Sequence, residues 1–135
     1  MAKASGLGWS TLSVDDSANA QQDIKNDITN LQISTPRAVQ DTTGIDKSAF
    51  ERLLLLADVS VTLNGVFNGA ANKSHAVFST VPSTSVNRLT TMVANSKTLA
   101  PNLLYTDYNL TRATGGALTW SAPGVLADGA VPTWS

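Results

Sequence analysis

The amino-acid sequence predicts a mainly β domain with one short flanking helix, and three observations carry that prediction. Val59, Val61 and Leu63 alternate with Ser60, Thr62 and Asn64, the period-two pattern that puts an apolar set on one strand face and a polar set on the other. Thr114-Gly115-Gly116 joins two runs of strand-forming residues, 103–112 and 117–125, through positions that tolerate positive φ. A single clear helical candidate covers about residues 73–81. There Asn72 or Ser74 can cap, Ala70, Val77, Phe78 and Val81 can pack, and Pro82 ends the run.

The remaining elements follow along the chain. Residues 1–8, with Gly6 and Gly8, read as a flexible arm, residues 9–14 as a short strand and 15–22 as a polar loop. Residues 23–33 carry two periods at once: Ile24, Ile28 and Leu31 fit a helix, whereas Thr29, Leu31 and Ile33 fit a strand. The β-branched residues at the end of this segment favour a strand over 28–34. Thr35-Pro36 stops regular structure, and residues 37–44 lead as extended chain to a turn. Ser48-x-x-Glu51 then matches a capping box ahead of good helix formers at 49–57, so local propensity favours a helix through the four leucines at 53–56. The alternation that begins at Val59 pulls the other way. Residues 86–94 alternate again, with Leu89, Thr91 and Val93 opposite Arg88, Thr90 and Met92. Leu118, Trp120 and Ala122 form one face of the last strand, with Tyr108 and Leu110 as a partner stripe. The terminal Trp134 is expected to pack on a neighbour or on its own domain.

Composition excludes several classes of function. At 135 residues the chain is most simply one domain, and its 42% hydrophobic content suits neither disorder nor a membrane protein. The longest apolar run, 53–57, is too short to cross a bilayer, and the first ten residues lack the apolar core of a secretory signal, so no membrane insertion is expected. Without cysteine there is no disulfide, thiolate nucleophile or cysteine-ligated zinc. Only 14% of residues are charged, nine basic against ten acidic, whereas tight binding of DNA phosphates requires a basic excess. Polarity comes mainly from Ser, Thr and Asn, and uncharged surface of this kind suits interfaces between proteins.

No catalytic, cofactor-binding or metal-ligating residue is expected, and the chain reads as a non-enzyme. His75 is the sole histidine, and adjacent Ser74 points elsewhere on a helix. Asp15-Asp16 and the pair Asp23 and Asp27 lack the glycine and terminal glutamate of a calcium loop and read as solvated carboxylates. Glu51 is the only glutamate, and nothing singles out a facing carboxylate pair. Arg88 and Arg112 lie on alternating strands, where a charge is expected to meet solvent, a partner subunit or a lumen.

Residues 35–68 (TPRAVQDTTGIDKSAFERLLLLADVSVTLNGVFN), 74–85 (SHAVFSTVPSTS) and 115–135 (GGALTWSAPGVLADGAVPTWS) together resemble the tail tube, or major tail, proteins of long, non-contractile-tailed bacteriophages, especially those of actinobacterial hosts. The glycine that the family commonly carries before the Asp-x-Ser of its second strand is absent from Leu56-Ala57-Asp58-Val59-Ser60.

The resemblance implies one tail tube domain over residues 1–135, sandwich-like or barrel-like, with one short helix at its side. Six subunits would form a ring whose inner sheets join into a barrel, and rings would stack into a tube. The tube would surround the tape-measure protein and later conduct DNA without binding it specifically, with tail terminator and distal tail proteins at its ends. Its place would be the virion, after synthesis in the host cytoplasm. Residues 35–52 correspond to a ring-stacking loop, with Asp41, Asp46, Lys47, Glu51 and Arg52 as contact candidates and Arg88 and Arg112 as lumen or inter-subunit candidates. The same resemblance favours extended chain for the leucines. A β-sandwich binding module, such as a receptor-binding or capsid-decoration domain, is the alternative from another class.

Overall fold

A computed structural model describes residues 3–135, so Met1 and Ala2 of the expected N-terminal arm lie outside the described residues. The strands are β1 (Trp9–Asp15), β2 (Gln21–Asp23), β3 (Ile28–Ser34), β4 (Arg37–Asp41), β5 (Arg52–Ala57), β6 (Ser60–Val66), β7 (Arg88–Ala94), β8 (Lys97–Leu99), β9 (Asn102–Tyr105), β10 (Asn109–Arg112) and β11 (Leu118–Leu126). The helix α1 (Ser74–Phe78) sits between β6 and β7. Nine strands make one antiparallel sheet in the order β2-β1-β7-β9-β11-β6-β3, with β8 paired to β7 and β10 to β11. The hairpin β4–β5 forms a separate two-stranded sheet. The protein is thus mainly β, with a single α-helix and one 3-10 turn, Lys25–Asp27, among the described residues.

One apolar cluster joins Leu12 and Val14 of β1 to Val61 and Leu63 of β6, strands towards opposite ends of the order, so the sheet wraps around a shared core. Val59, Val61 and Leu63 are fully buried, as their alternation with Ser60, Thr62 and Asn64 requires. Phe78 brings α1 against this core, its ring centroid 5.1 Å from those of both Tyr105 and Trp120. The Trp120 indole donates to the Val66 carbonyl at 2.9 Å. Gly65 lies beneath that ring. A Cβ there would collide with the Asp27 carbonyl and come within 2.8 Å of the indole, so only glycine fits.

The leucine run is strand β5, the extended chain expected for it over the local helix propensity of 49–57; the Glu51 amide bonds the Thr43 hydroxyl at 2.8 Å and closes a hairpin loop rather than a capping box. Three other sequence expectations change. The stretch 103–112 divides into β9 and β10, because residues 106–108 leave the ladder and Tyr108 turns towards Phe78 and Trp120. The helix is shorter than 73–81, and neither Asn72 nor Ser74 caps it through a side chain. The cap comes from a distant carboxylate instead. Asp27 accepts from the Ser74 amide at 3.1 Å and from Asn68 Nδ2 at 3.0 Å, so it is buried rather than solvated.

Candidate assembly surfaces

The hairpin of β4 and β5 packs chiefly on itself. Arg37 pairs with Ala57, Val39 with Leu54, Gln40 with Leu53 and Asp41 with Arg52, with a bulge between Arg37 and Val39. At the bulge the Arg37 guanidinium spans the strands, donating from Nε and Nη2 to the Leu55 carbonyl at 2.9 and 2.7 Å. The Asp58 amide to the Pro36 carbonyl, 2.9 Å, ties the base.

Successive strand residues face opposite ways, so Leu53 and Leu55 share one side of β5 while Leu54 and Leu56 share the other. All four are exposed, at 53%, 40%, 57% and 84% respectively, and Val39, Ile45 and Phe50 extend the apolar surface. Strand β5 thus presents apolar side chains on both sides, beside Gln40 on one and Asp41 and Arg52 on the other, and exposed apolar surface of this kind marks a contact site. Burying each leucine is worth roughly 1.5–3 kcal/mol.

The stacking candidates read from the sequence lie in the loop 42–51 (Asp46, Lys47, Glu51) and at the strand ends that flank it (Asp41 of β4, Arg52 of β5). Asp41 accepts from the Thr43 hydroxyl at 2.6 Å and the Thr43 amide at 2.9 Å, bonds that hold its carboxyl below the usual carboxylate range. Lys47 lies 3.8 Å from Asp46 and 3.9 Å from Glu51, and the Arg52 guanidinium sits 4.6 Å over the Phe50 ring. Asp46, Lys47, Glu51 and Arg52 thus contact neighbours within one subunit yet stay exposed, and both they and the apolar side chains beside them are open to a partner.

A second surface is the outward face of β10, β11, β6 and β3. Register aligns Asn109, Ser121, Asn64 and Asn30 in one row. Neighbouring rows hold Pro123, Thr62 and Gln32, then Val125, Ser60 and Ser34. Thr111, Thr119 and Val66 form a fourth row. None of these side chains is charged, and most are hydroxyls or amides that exchange hydrogen bonds freely with water.

Two chains in solved structures share this architecture. One, from the tail of an empty gene transfer agent particle obtained by helical refinement with C6 symmetry, matches with a TM-score of 0.74 at 14% identity, covering 98% of this chain and 99% of that one. The chain has a tail tube fold. A chain from the virion of a native gene transfer agent particle matches with a TM-score of 0.69 at 12% identity, again over 98% and 99% of the two chains. No protein-family model and no curated protein matches the sequence.

Within this tail tube fold the two arginines singled out from the sequence go to different places. Arg88 is 2% exposed: Nη1 donates to the carbonyls of Asp15 at 3.1 Å and Val77 at 2.9 Å, and Nη2 to the Thr80 hydroxyl at 2.8 Å. Inside the subunit it meets neither lumen nor partner, which corrects the expectation of an outward charge. Burial pulls the guanidinium pKa down while Asp16, Tyr105 and Asp15 oppose, and it stays charged. Arg112 is exposed at the end of β10 opposite Leu118, on the side that carries Leu110 and Trp120 rather than on the uncharged face.

His75 faces the Tyr108 hydroxyl at 3.2 Å and packs on Phe67, while the Ser74 hydroxyl is buried without a partner, so the two form no nucleophilic relay. No cluster of three His, Cys, Asp or Glu side chains suited to a metal occurs among the described residues, and no helix there is long and apolar enough to cross a membrane. Ser135 exchanges two backbone bonds with Thr98, 2.8 and 3.0 Å, so the tail docks on its own domain while Trp134 stays 54% exposed.

Proposed function

We propose that the chain is a structural tail protein of a phage-like particle, which assembles with copies of itself into hexameric rings stacked as the tube of a long, non-contractile tail. The observation that carries this reading is the β4–β5 hairpin, apolar on both faces and uncovered, in a chain with a tail tube fold. In the tube, the hairpin of one ring lies against the next ring and its leucines are covered there. The C6 symmetry of the gene transfer agent tail supports a ring of six.

The uncharged sheet face lines the channel. A conduit for a polyanion works best without fixed positive charge to hold phosphates, and hydroxyls and amides offer only bonds that water replaces. The same face accommodates a tape-measure protein before DNA passes. Tail terminator and distal tail proteins would cover the surfaces that end rings leave open. Purified protein at raised concentration is expected to give stacked rings by electron microscopy and fast-sedimenting species. Strict monomers at high concentration and in particle extracts would contradict the proposal.

A further inference from the structure

We infer that Asn68-Gly69 is a self-modifying site: the Gly69 amide nitrogen attacks the Asn68 side chain, and the carboxylate that results repels Asp27 and loosens the start of α1. The inference goes beyond the tail reading and holds for the chain whatever it assembles into.

The sequence holds two Asn-Gly pairs, Asn64-Gly65 and Asn68-Gly69. Glycine after asparagine leaves the attacking nitrogen unshielded by a side chain and allows the backbone rotation that ring closure needs. The fold treats the two pairs differently. Asn64 lies opposite Asn30 and Ser121 within β6, and Gly65 lies opposite Ile28 and Trp120, so ladders on both sides fix that backbone. Asn68 and Gly69 follow β6, outside any strand or helix. Gly69 is exposed, and its amide makes no hydrogen bond among the described residues. A Cβ at Gly69 would meet only the Phe67 ring, at 3.5 Å.

The step balances with water as the one co-reactant. The Gly69 nitrogen bonds to the Asn68 Cγ and gives up its proton as the Cγ–Nδ2 bond breaks and ammonia leaves, closing a succinimide ring. Water then opens either ring carbonyl, to aspartate or to isoaspartate at position 68.

The surroundings of Asn68 give this chemistry a structural consequence. Its Nδ2 donates to Asp27 Oδ1 at 3.0 Å, and its Oδ1 accepts from the Ala70 amide at 3.0 Å. Its backbone carbonyl accepts from the His75 amide at 3.2 Å. Asp27 is 6% exposed, and its other oxygen accepts from the Ser74 amide. These bonds restrain Asn68 while they hold, so conversion is slow and proceeds when the loop opens locally. Afterwards the Asp27 contact cannot reform. Aspartate sets acceptor against acceptor and a second charge beside a buried carboxylate. Isoaspartate also lengthens the main chain by one carbon and turns the carbonyl that holds His75 into a side-branch carboxylate. Either product weakens the hold on α1, which carries Phe78 into the core.

The native chain, aged at mildly alkaline pH and mapped by peptide mass spectrometry, should show deamidation at Asn68 and none at Asn64. The same chain aged in denaturant should convert both. Gly69→Ala, whose added methyl makes only an ordinary contact, should keep Asn68 intact with an unchanged melting midpoint. Asn68→Asp should melt below the parent, as should the converted fraction separated by its extra negative charge. If the denatured chain converts Asn68 and the folded chain does not, the fold locks the site and the inference fails. Equal conversion of Asn64 and Asn68 in the folded chain would overturn the selection by the ladder. An Asn68→Asp chain that melts with the parent would overturn the consequence drawn through Asp27.

Discussion

Replacing Leu54 and Leu55 together by glutamate is expected to abolish tube formation while the subunit stays folded. The two leucines occupy opposite faces of β5, 57% and 40% exposed, so one double substitution tests both faces of the hairpin. In the isolated subunit they contribute little beyond cross-strand contacts such as that between Leu54 and Val39, worth roughly 0.2–1 kcal/mol. In the tube, two burials of roughly 1.5–3 kcal/mol each are lost per subunit, and unpaired carboxylates are forced into the interface. Sedimentation and thermal melting separate these effects: the melting midpoint should move little while the fast-sedimenting species disappear. Normal assembly of the variant would show that the hairpin contacts nothing, and a collapsed midpoint would place the leucines in the subunit core.

Arg88→Ala is expected to produce the largest loss of stability, about 3–5 kcal/mol, read as a fall of roughly 10–20 °C in the melting midpoint. The guanidinium ties the end of β1 at Asp15, the last turn of α1 at Val77 and the following turn at Thr80. Removing it strands acceptors in the interior and leaves a cavity behind. Arg88→Lys should recover only a fraction, because an ammonium cannot present the planar fork that reaches all three acceptors. An unchanged midpoint for Arg88→Ala would show that the bonds are not made in solution.

Leu54, Leu55 and Arg88 also show where local sequence stops informing. The alternation over β6 was legible because that strand is half-buried within one subunit, so its pattern records its own core. The Thr114-Gly115-Gly116 hairpin was legible because turn chemistry is local; Gly116 takes φ of 95° there. The leucines of β5 had no such local reason. Four consecutive apolar residues read as a buried segment of either kind, and what explains them on our account lies in another copy of the chain. Arg88 was misplaced because acceptors from three elements converge on it, Asp15 of β1 from 73 positions away and Val77 and Thr80 from the helix and turn before β7, and strand alternation does not reveal that. Asp27 was read as solvated for the same reason: the amide it caps is on a helix 47 positions away. The charged stacking candidates fall on the β4–β5 hairpin and its loop, where they stand exposed beside the apolar side chains.

The most direct test is an electron cryomicroscopy reconstruction of the tube assembled from purified protein. The account predicts six-fold rings with Asn30, Gln32, Thr62, Asn64 and Ser121 facing the channel axis and the β4–β5 leucines enclosed between successive rings. A map that turns this face outward, or leaves those leucines in solvent, would contradict it.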